Sequence, residues 1–584
     1  MNTAIRLAAL CALAGCMHHG GGGDDTTNAT LTLDPPTSEL QILNGVAAHA
    51  TFTATLVLAN GQKRDVTADT RFGIDGAYGQ FVGNELTIGV GGKAEVYGVY
   101  TDKTGTAEVV ARVKSVRVDP SLPPTTPGLF DGPEDPALAP QIVYPPASAV
   151  MPRNVGDFEV HWTDGHANDV FEVSLHTEFS DVKVYVKGGN GLAATGPTPS
   201  WSAFQAAEWF SGIGTANAVS FQVRGARSTA PGTVGAAAPQ TIALSNEEME
   251  GGLYYWAAAS TSAVIGVYRH DMSKPGEPAE EFLTSKQLPG KCVACHVLSR
   301  DGTKMAITYK GGGGPASMVD VGLKTVGPEV SGWNFGTFTP DNAQFLAVEA
   351  GTLTVRDTAT QAVLATMPSA FSFVSHPDLS PDGNRLVYAT NPNGYHDWEF
   401  ITGALYTRTY NQATHVFGPE VKLVDDGKNN FYPSWSPDGT WILFNKAPAD
   451  TSYDNANCTT WVVKADGSQP PVELALADQS VGLTNSWPRW APFPQSLGTA
   501  AEPMFWVTIA SKRDFGVRLR NTGLFQRPAL GTPAKRSQIW MTPFFPNRAA
   551  RGADPSAPVF RLPFQNLDSS NHIAQWTERV VVFE

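Results

Sequence analysis

The chain has 584 residues, with 57 Gly, 43 Pro, 10% aromatic residues and a formal net charge of −14. That acidic balance excludes a nucleic-acid partner, whose phosphates need a basic face, and the aromatic content excludes a disordered chain. The length predicts several domains, and glycine and proline above ordinary usage without a period suit short strands joined by many turns.

At the N-terminus Arg6 precedes an apolar run over 7–13, too short to remain in a bilayer as a spanning helix, which ends in small residues before Cys16. The tetrad Leu13-Ala14-Gly15-Cys16 resembles the lipobox of bacterial lipoprotein signals. The resemblance implies a signal peptide over 1–15, cleavage before Cys16, lipid on that cysteine, and a place in the bacterial cell envelope, anchored at the outer membrane. An ordinary secretory signal is the other reading, and either exports the chain. Residues 16–30, with glycines at 20–23, read as a flexible tether, and no second long apolar segment follows.

Residues 31–118 alternate apolar and polar, as in Thr51-Phe52-Thr53-Ala54-Thr55-Leu56-Val57-Leu58, with Gly-rich turns between runs. This predicts a β-sandwich. Asn60-Gly61-Gln62-Lys63-Arg64-Asp65-Val66-Thr67 and Gly105-Thr106-Ala107-Glu108-Val109-Val110-Ala111 resemble bacterial immunoglobulin-like modules, which implies a spacer or adhesive arm. Residues 119–140, containing Pro123-Pro124-Thr125-Thr126-Pro127, read as a stiff, extended linker. A second sandwich is predicted over 141–245, where Trp162 in an alternating strand resembles the core aromatic of a fibronectin type III-like module. Trp201 and Trp209 are read as core, with a sugar-stacking surface as the other reading.

From 251 to 584 the sequence repeats. Ser299-Arg300-Asp301-Gly302, Thr339-Pro340-Asp341-Asn342, Ser380-Pro381-Asp382-Gly383 and Ser436-Pro437-Asp438-Gly439 are tight turns, spaced 40, 41 and 56 residues apart (299 to 339 to 380 to 436). Apolar residues follow each turn in period two: Met305 and Ile307, Phe345 and Ala347, Leu386 and Tyr388, Ile442 and Phe444. Such a period predicts four-stranded propeller blades. Trp487-Pro488-Arg489-Trp490 reads as a degenerate further start, and Leu253-Tyr254-Tyr255-Trp256 with Ile265-Gly266-Val267-Tyr268 as an earlier blade. The predicted fold is all-β: two N-terminal β-sandwich modules followed by a six-bladed β-propeller. The Ser-Pro-Asp-Gly turn, preceded by Pro433-Ser434-Trp435 in its best copy, resembles the TolB-like, WD40-like repeat. That resemblance implies a fold, while function does not travel with it.

Inside the repeat region lies Cys292-Val293-Ala294-Cys295-His296. Two thiols three apart followed at once by histidine is the attachment signature of c-type haem, with both thiols on the vinyl edge and the imidazole on iron. A Cys292–Cys295 disulfide or half of a zinc site are the other readings, and Cys458 has no second cysteine to complete zinc. Aligning the turns puts Cys295 in register with Phe335, His376, Tyr432 and Trp487, and the family pattern implies that these form a collar at one mouth of the channel. Phe335, Tyr432 and Trp487 would pack the porphyrin, and His376 is the first candidate for the distal iron ligand. His572 is the second, with Met272 and Met305 weaker. No G-x-S-x-G, H-E-x-x-H or phosphate-binding loop is present. The function expected is electron transfer or redox sensing by an anchored haem c protein with a redox or envelope protein partner. The alternative is a haem-free binding propeller. A haem enzyme acting on peroxide or a small nitrogen or sulfur species is a third reading.

Overall fold

The computed structural model describes residues 26–230, 232–259, 264–390, 396–448, 450–521 and 536–581. The expected signal peptide and Cys16 lie outside them. Among the described residues one compact unit holds 26–42 and 46–112, and a second holds 43–45 and 113–581.

In the first unit, Thr30–Asp34 pairs with Thr53–Val57, Ala48–Thr51 with Glu85–Ile88, and Gly92–Tyr100 with the start of Lys103–Val118, all antiparallel. The alternation read between Thr51 and Leu58 is the inward and outward period of a half-buried strand. Phe52, Ala54 and Leu56 lie in the core with Leu86, Val96 and Val109, while Thr51 and Thr53 face solvent.

The second unit begins within that last strand, whose residues Val113 to Val118 pair in parallel with Ser180 to Tyr185. Val170–Thr177 is hydrogen-bonded on both sides, to Ser180–Lys187 and Ala218–Ala226. A smaller sheet places Glu159–Asp164 between Gln141–Tyr144 and Thr198–Ala203. Trp162 is fully buried against Phe171, with ring centroids 5.2 Å apart. The sequence reading has no helix here, yet Ala206–Ile213 is one, started by a capping box between Gln205 and Glu208. The helix carries Trp209 into the core, stacked on Phe158 at 4.3 Å. Trp201 has the Arg518 guanidinium over its ring at 3.9 Å, so that face is not open to a sugar.

The segment expected to be an extended linker is instead folded onto this sandwich. Thr126–Phe130 and Pro136–Leu138 are 3-10 turns, and Glu134–Asp135 adds in parallel to Val234–Ala236. The cause is Phe130, which is 4% exposed and packs on Tyr185 at 5.4 Å. Burying one aromatic ring outweighs the extended preference of the flanking prolines. Phe130→Ala should therefore cost about 3–5 kcal/mol. Urea unfolding checks this, since an extended linker would give no change in midpoint.

Between 252 and 577 the chain forms, among the described residues, six antiparallel sheets of four or five strands. Five follow sequence order, with first strands Val293–Leu298, Phe335–Phe338, Val374–Leu379, Asn429–Trp435 and Ser486–Leu497. The sixth is shared between the two ends of the region: Ser569–Thr577 pairs with Gly252–Ala259, which leads outward to Ile265–Asp271 and Glu280–Thr284. Each of these first strands touches the next, and Ser569–Thr577 touches both Ser486–Leu497 and Val293–Leu298, so the contacts run in a closed cycle. This is the topology of a β-propeller.

The repeated tetrads are the turns after the first strands. The N–H of Gly302, Asn342, Gly383 and Gly439 donates to the carbonyl of Ser299, Thr339, Ser380 and Ser436, respectively, at 2.7–3.0 Å. All four donors have φ between 61° and 75°, which is why glycine or asparagine closes each tetrad. The period-two residues are all fully buried, but so are their neighbours Ala306, Leu346, Val387 and Leu443, because second strands are covered on both faces. Met272 and Met305 are packed in the core rather than placed as ligands, Met305 among Tyr254, Ile307 and Val319.

Candidate functional site

A β-bulge recurs in the first strands. The register shifts between Ser375 and Asp378, Phe431 and Ser434, Ser486 and Arg489, and Val293 and His296, and opposite Tyr254–Trp256 in the closing strand. At four of them a non-glycine residue takes a left-handed backbone: His376 (φ 49°), Tyr432 (53°), Trp487 (53°) and Ile573 (56°). Such conformations cost about 1–3 kcal/mol each and gather where a fold re-aims side chains at a site. The closing strand contributes Ile573 at this position, next to His572, the second ligand candidate. Phe335 sits on a regular strand.

The bulges bring the predicted collar together as a chain of rings. Phe335 meets His376 at 4.1 Å, His376 meets Tyr432 at 4.2 Å, and Tyr432 stacks on Trp487 at 4.1 Å. Trp487 lies 6.2 Å from His572, which packs on Trp256 at 4.7 Å. A cavity of about 40 Å³ is lined by Cys295, His296, Phe335, His376, Trp487 and Arg489.

His296 is 2% exposed, and neither ring nitrogen has a well-formed hydrogen bond. Burial, followed by the nearby His572, lowers its pKa to about 3, so the imidazole is neutral with a free lone pair. His376 Nδ1 accepts a long bond of 3.5 Å from the Tyr432 N–H, while Nε2 has no partner, and burial holds its pKa well below the usual range. Nδ1 of His572 is also unpartnered, and burial lowers that pKa to about 4. The Tyr432 hydroxyl is the remaining unpartnered group of the collar. Each such group forfeits roughly 1–3 kcal/mol unless something satisfies it, and folded proteins contain few of them.

Cys292 is exposed and Cys295 half-buried, both as free thiols, so the disulfide alternative is not formed here. Burial raises the Cys295 pKa. Cys458 is a core residue whose thiol donates to the carbonyls of Asn455 and Asn485 at 3.1 Å. Among the described residues no three His, Cys, Asp or Glu side chains converge as a metal site, which leaves the zinc reading without ligands.

The donor set fits a c-type haem: two free thiols and, next to them, a neutral imidazole with no well-formed hydrogen bond. The interior of the collar does not hold the macrocycle. Its cavity of about 40 Å³ has room for a few waters, at roughly 10–15 Å³ each. Phe335, Tyr432 and Trp487, expected to pack the porphyrin, pack on one another and on His376. A macrocycle attached to these thiols would have to lie outside the collar, on the side where Cys292 is exposed.

No family model matches the chain, and no curated protein matches it. Among solved structures it is similar to hydrazine synthase of Kuenenia stuttgartiensis, at 15% identity over 47% of this chain and 66% of that one, with a TM-score of 0.29. It is also similar to a putative TolB from Agrobacterium tumefaciens, at 15% identity over 56% of this chain and 99% of that one (TM-score 0.28). A third is the dihydro-heme d1 dehydrogenase NirN in complex with DHE, at 13% identity, covering 51% and 59% (TM-score 0.28). Among the described residues no helix is long and apolar enough to cross a membrane.

Proposed function

We propose that this is a lipid-anchored envelope protein whose six sheets are the blades of a six-bladed propeller, with one c-type haem on Cys292, Cys295 and His296 for electron transfer or redox sensing. The observation that carries the reading is His296: a buried, neutral imidazole with no well-formed hydrogen bond on either nitrogen, directly after two unpaired thiols. A haem held there supplies reversible one-electron chemistry at iron. The chain's own part is to keep His296 neutral by burial, to hold it on a bulged strand, and to limit water to a few molecules in the collar. His376, with Nε2 free and lining the same cavity, would act as a second axial ligand only with the macrocycle inside the collar, which that volume does not admit, and the same holds for His572 behind it.

A haem-free binding propeller is the second reading, favoured by the small interior of the collar. A pyridine haemochrome spectrum of the denatured full chain, matured in a host that attaches haem c, separates the two. The expected result is a covalently retained c-type signal that Cys292→Ala/Cys295→Ala abolishes and Cys458→Ser leaves intact. His296→Ala should alter the native spectrum, and His376→Ala should leave it unchanged, whereas a conversion to high-spin iron would place the macrocycle inside the collar. Absence of any covalent signal from the wild-type chain would leave the binding propeller.

A further inference from the structure

Arg489 follows the Trp487 bulge and lines two cavities of the channel. One is the collar cavity, and the other, of about 140 Å³, lies beyond it among Arg300, Thr337, Asp378 and Trp435. Gln575 is the one other residue common to both linings. The Arg489 guanidinium makes a single hydrogen bond among the described residues, from Nη1 to the Pro488 carbonyl at 3.0 Å, and no carboxylate lies within 4.0 Å. The deeply buried arginines differ. Arg513 donates to Ser511, Asn485 and Ala477, and Arg561 to Gln538, Gln565 and Pro563. Arg300, across the larger cavity, is bound to Glu578 at 3.1 Å. Asp378, whose charge acts on Arg489 from beyond ion-pair distance, accepts from the Trp435 N–H at 2.8 Å and the Thr337 hydroxyl at 3.4 Å.

Arg489 is half-buried, so its unused donors keep contact with solvent and stay open to an arriving anion. Burial already lowers the Arg489 pKa, yet part of its surface stays open, and that opening is the channel. A guanidinium offers two parallel N–H donors, the fork that matches a carboxylate or planar oxyanion. We propose that Arg489 anchors a small-anion site in the channel, taking a carboxylate or inorganic oxyanion that enters through the larger cavity, with Gln575 as the neighbouring polar group. The site needs the channel but not the haem.

The test is calorimetric titration of formate and of sulfate into the full chain, prepared with and without haem maturation, together with thermal melts. Wild type should bind at least one of the two anions in both preparations, and that anion should raise its melting temperature. Arg489→Met should weaken binding about tenfold or more and, without anion, melt close to wild type, because no direct ion pair is lost. Arg489→Lys keeps the charge without the fork and should fall between them. The proposal is overturned by three results: no binding of either anion, equal binding by Arg489→Met, or an anion-free Arg489→Met that melts several degrees lower or does not fold. The last would mean that Arg489 already has its partner, Asp378 through water. Since the anion-binding result is read on haem-free protein, its failure and failure of haem attachment are separate outcomes.

Discussion

Ending the chain after Asn566 should unfold the 252–577 body rather than trim it. Ser569–Thr577 is the first strand of the sheet it shares with Gly252–Ala259, and it is the piece of that contact cycle supplied from the far end of the sequence. Its loss exposes the edge of Gly252–Ala259 and the flanks of Ser486–Leu497 and Val293–Leu298 together. Ile573, Ala574 and Trp576 are buried on it. Burial of such side chains contributes roughly 1.5–3 kcal/mol for each large one, before the hydrogen bonds of the ladder are counted. Set against a typical total stability of about 5–15 kcal/mol, that removes most of the margin. The expected product lacks near-UV circular dichroism and a cooperative melt, and a synthetic peptide covering 567–584 added in trans should restore part of both. A truncated chain with the wild-type melting temperature would show that the ring is not closed by this strand.

The repeat was readable because each tetrad combines a hydroxyl, a turn carboxylate and a residue tolerant of positive φ, a combination set by local chemistry alone. Ser299 and Thr339 donate to Asp301 and Asp341 at 2.8 and 2.6 Å, and no distant contact is needed to form either turn. The collar was readable for a related reason: counting from the turns fixes the register of Phe335, His376, Tyr432 and Trp487. What was not readable depends on contacts between distant segments. Counting from the turns gives no collar residue for the closing strand, which has no tetrad after it, and its bulge opposite Tyr254–Trp256 presents Ile573. The prolines of 119–140 suggest an extended chain, and only the pocket beside Tyr185 and Val234 shows why Phe130 pulls it onto the sandwich. Arg489 drew no attention in sequence, since an arginine beside prolines and tryptophans gives no sign that its carboxylate partner is missing.

Trp487→Ala should be the most destabilising single substitution in the collar, and its size decides what the rings are for. Trp487 is 9% exposed, stacks on Tyr432 at 4.1 Å with planes 22° apart, and meets Tyr453 edge-on at 6.3 Å. Removing a buried tryptophan costs about 3–5 kcal/mol, and a stacked aromatic pair adds about 0.5–1.5 kcal/mol beyond area. The substitution does not relieve the backbone, because alanine at φ 53° is as strained as tryptophan. A loss of about 4–6 kcal/mol is therefore expected in haem-free protein by urea unfolding at unchanged m-value. Trp487→Phe should recover part of it, and a double-mutant cycle with Tyr432→Leu should return a coupling of about 1 kcal/mol. That outcome makes the collar a packing unit that holds His296 and His376 beside the cavity, with any macrocycle kept to the Cys292 side. A cost below about 1 kcal/mol would mean that the rings are held apart from one another in solution. It would return Phe335, Tyr432 and Trp487 to the role first expected of them, as walls for a porphyrin.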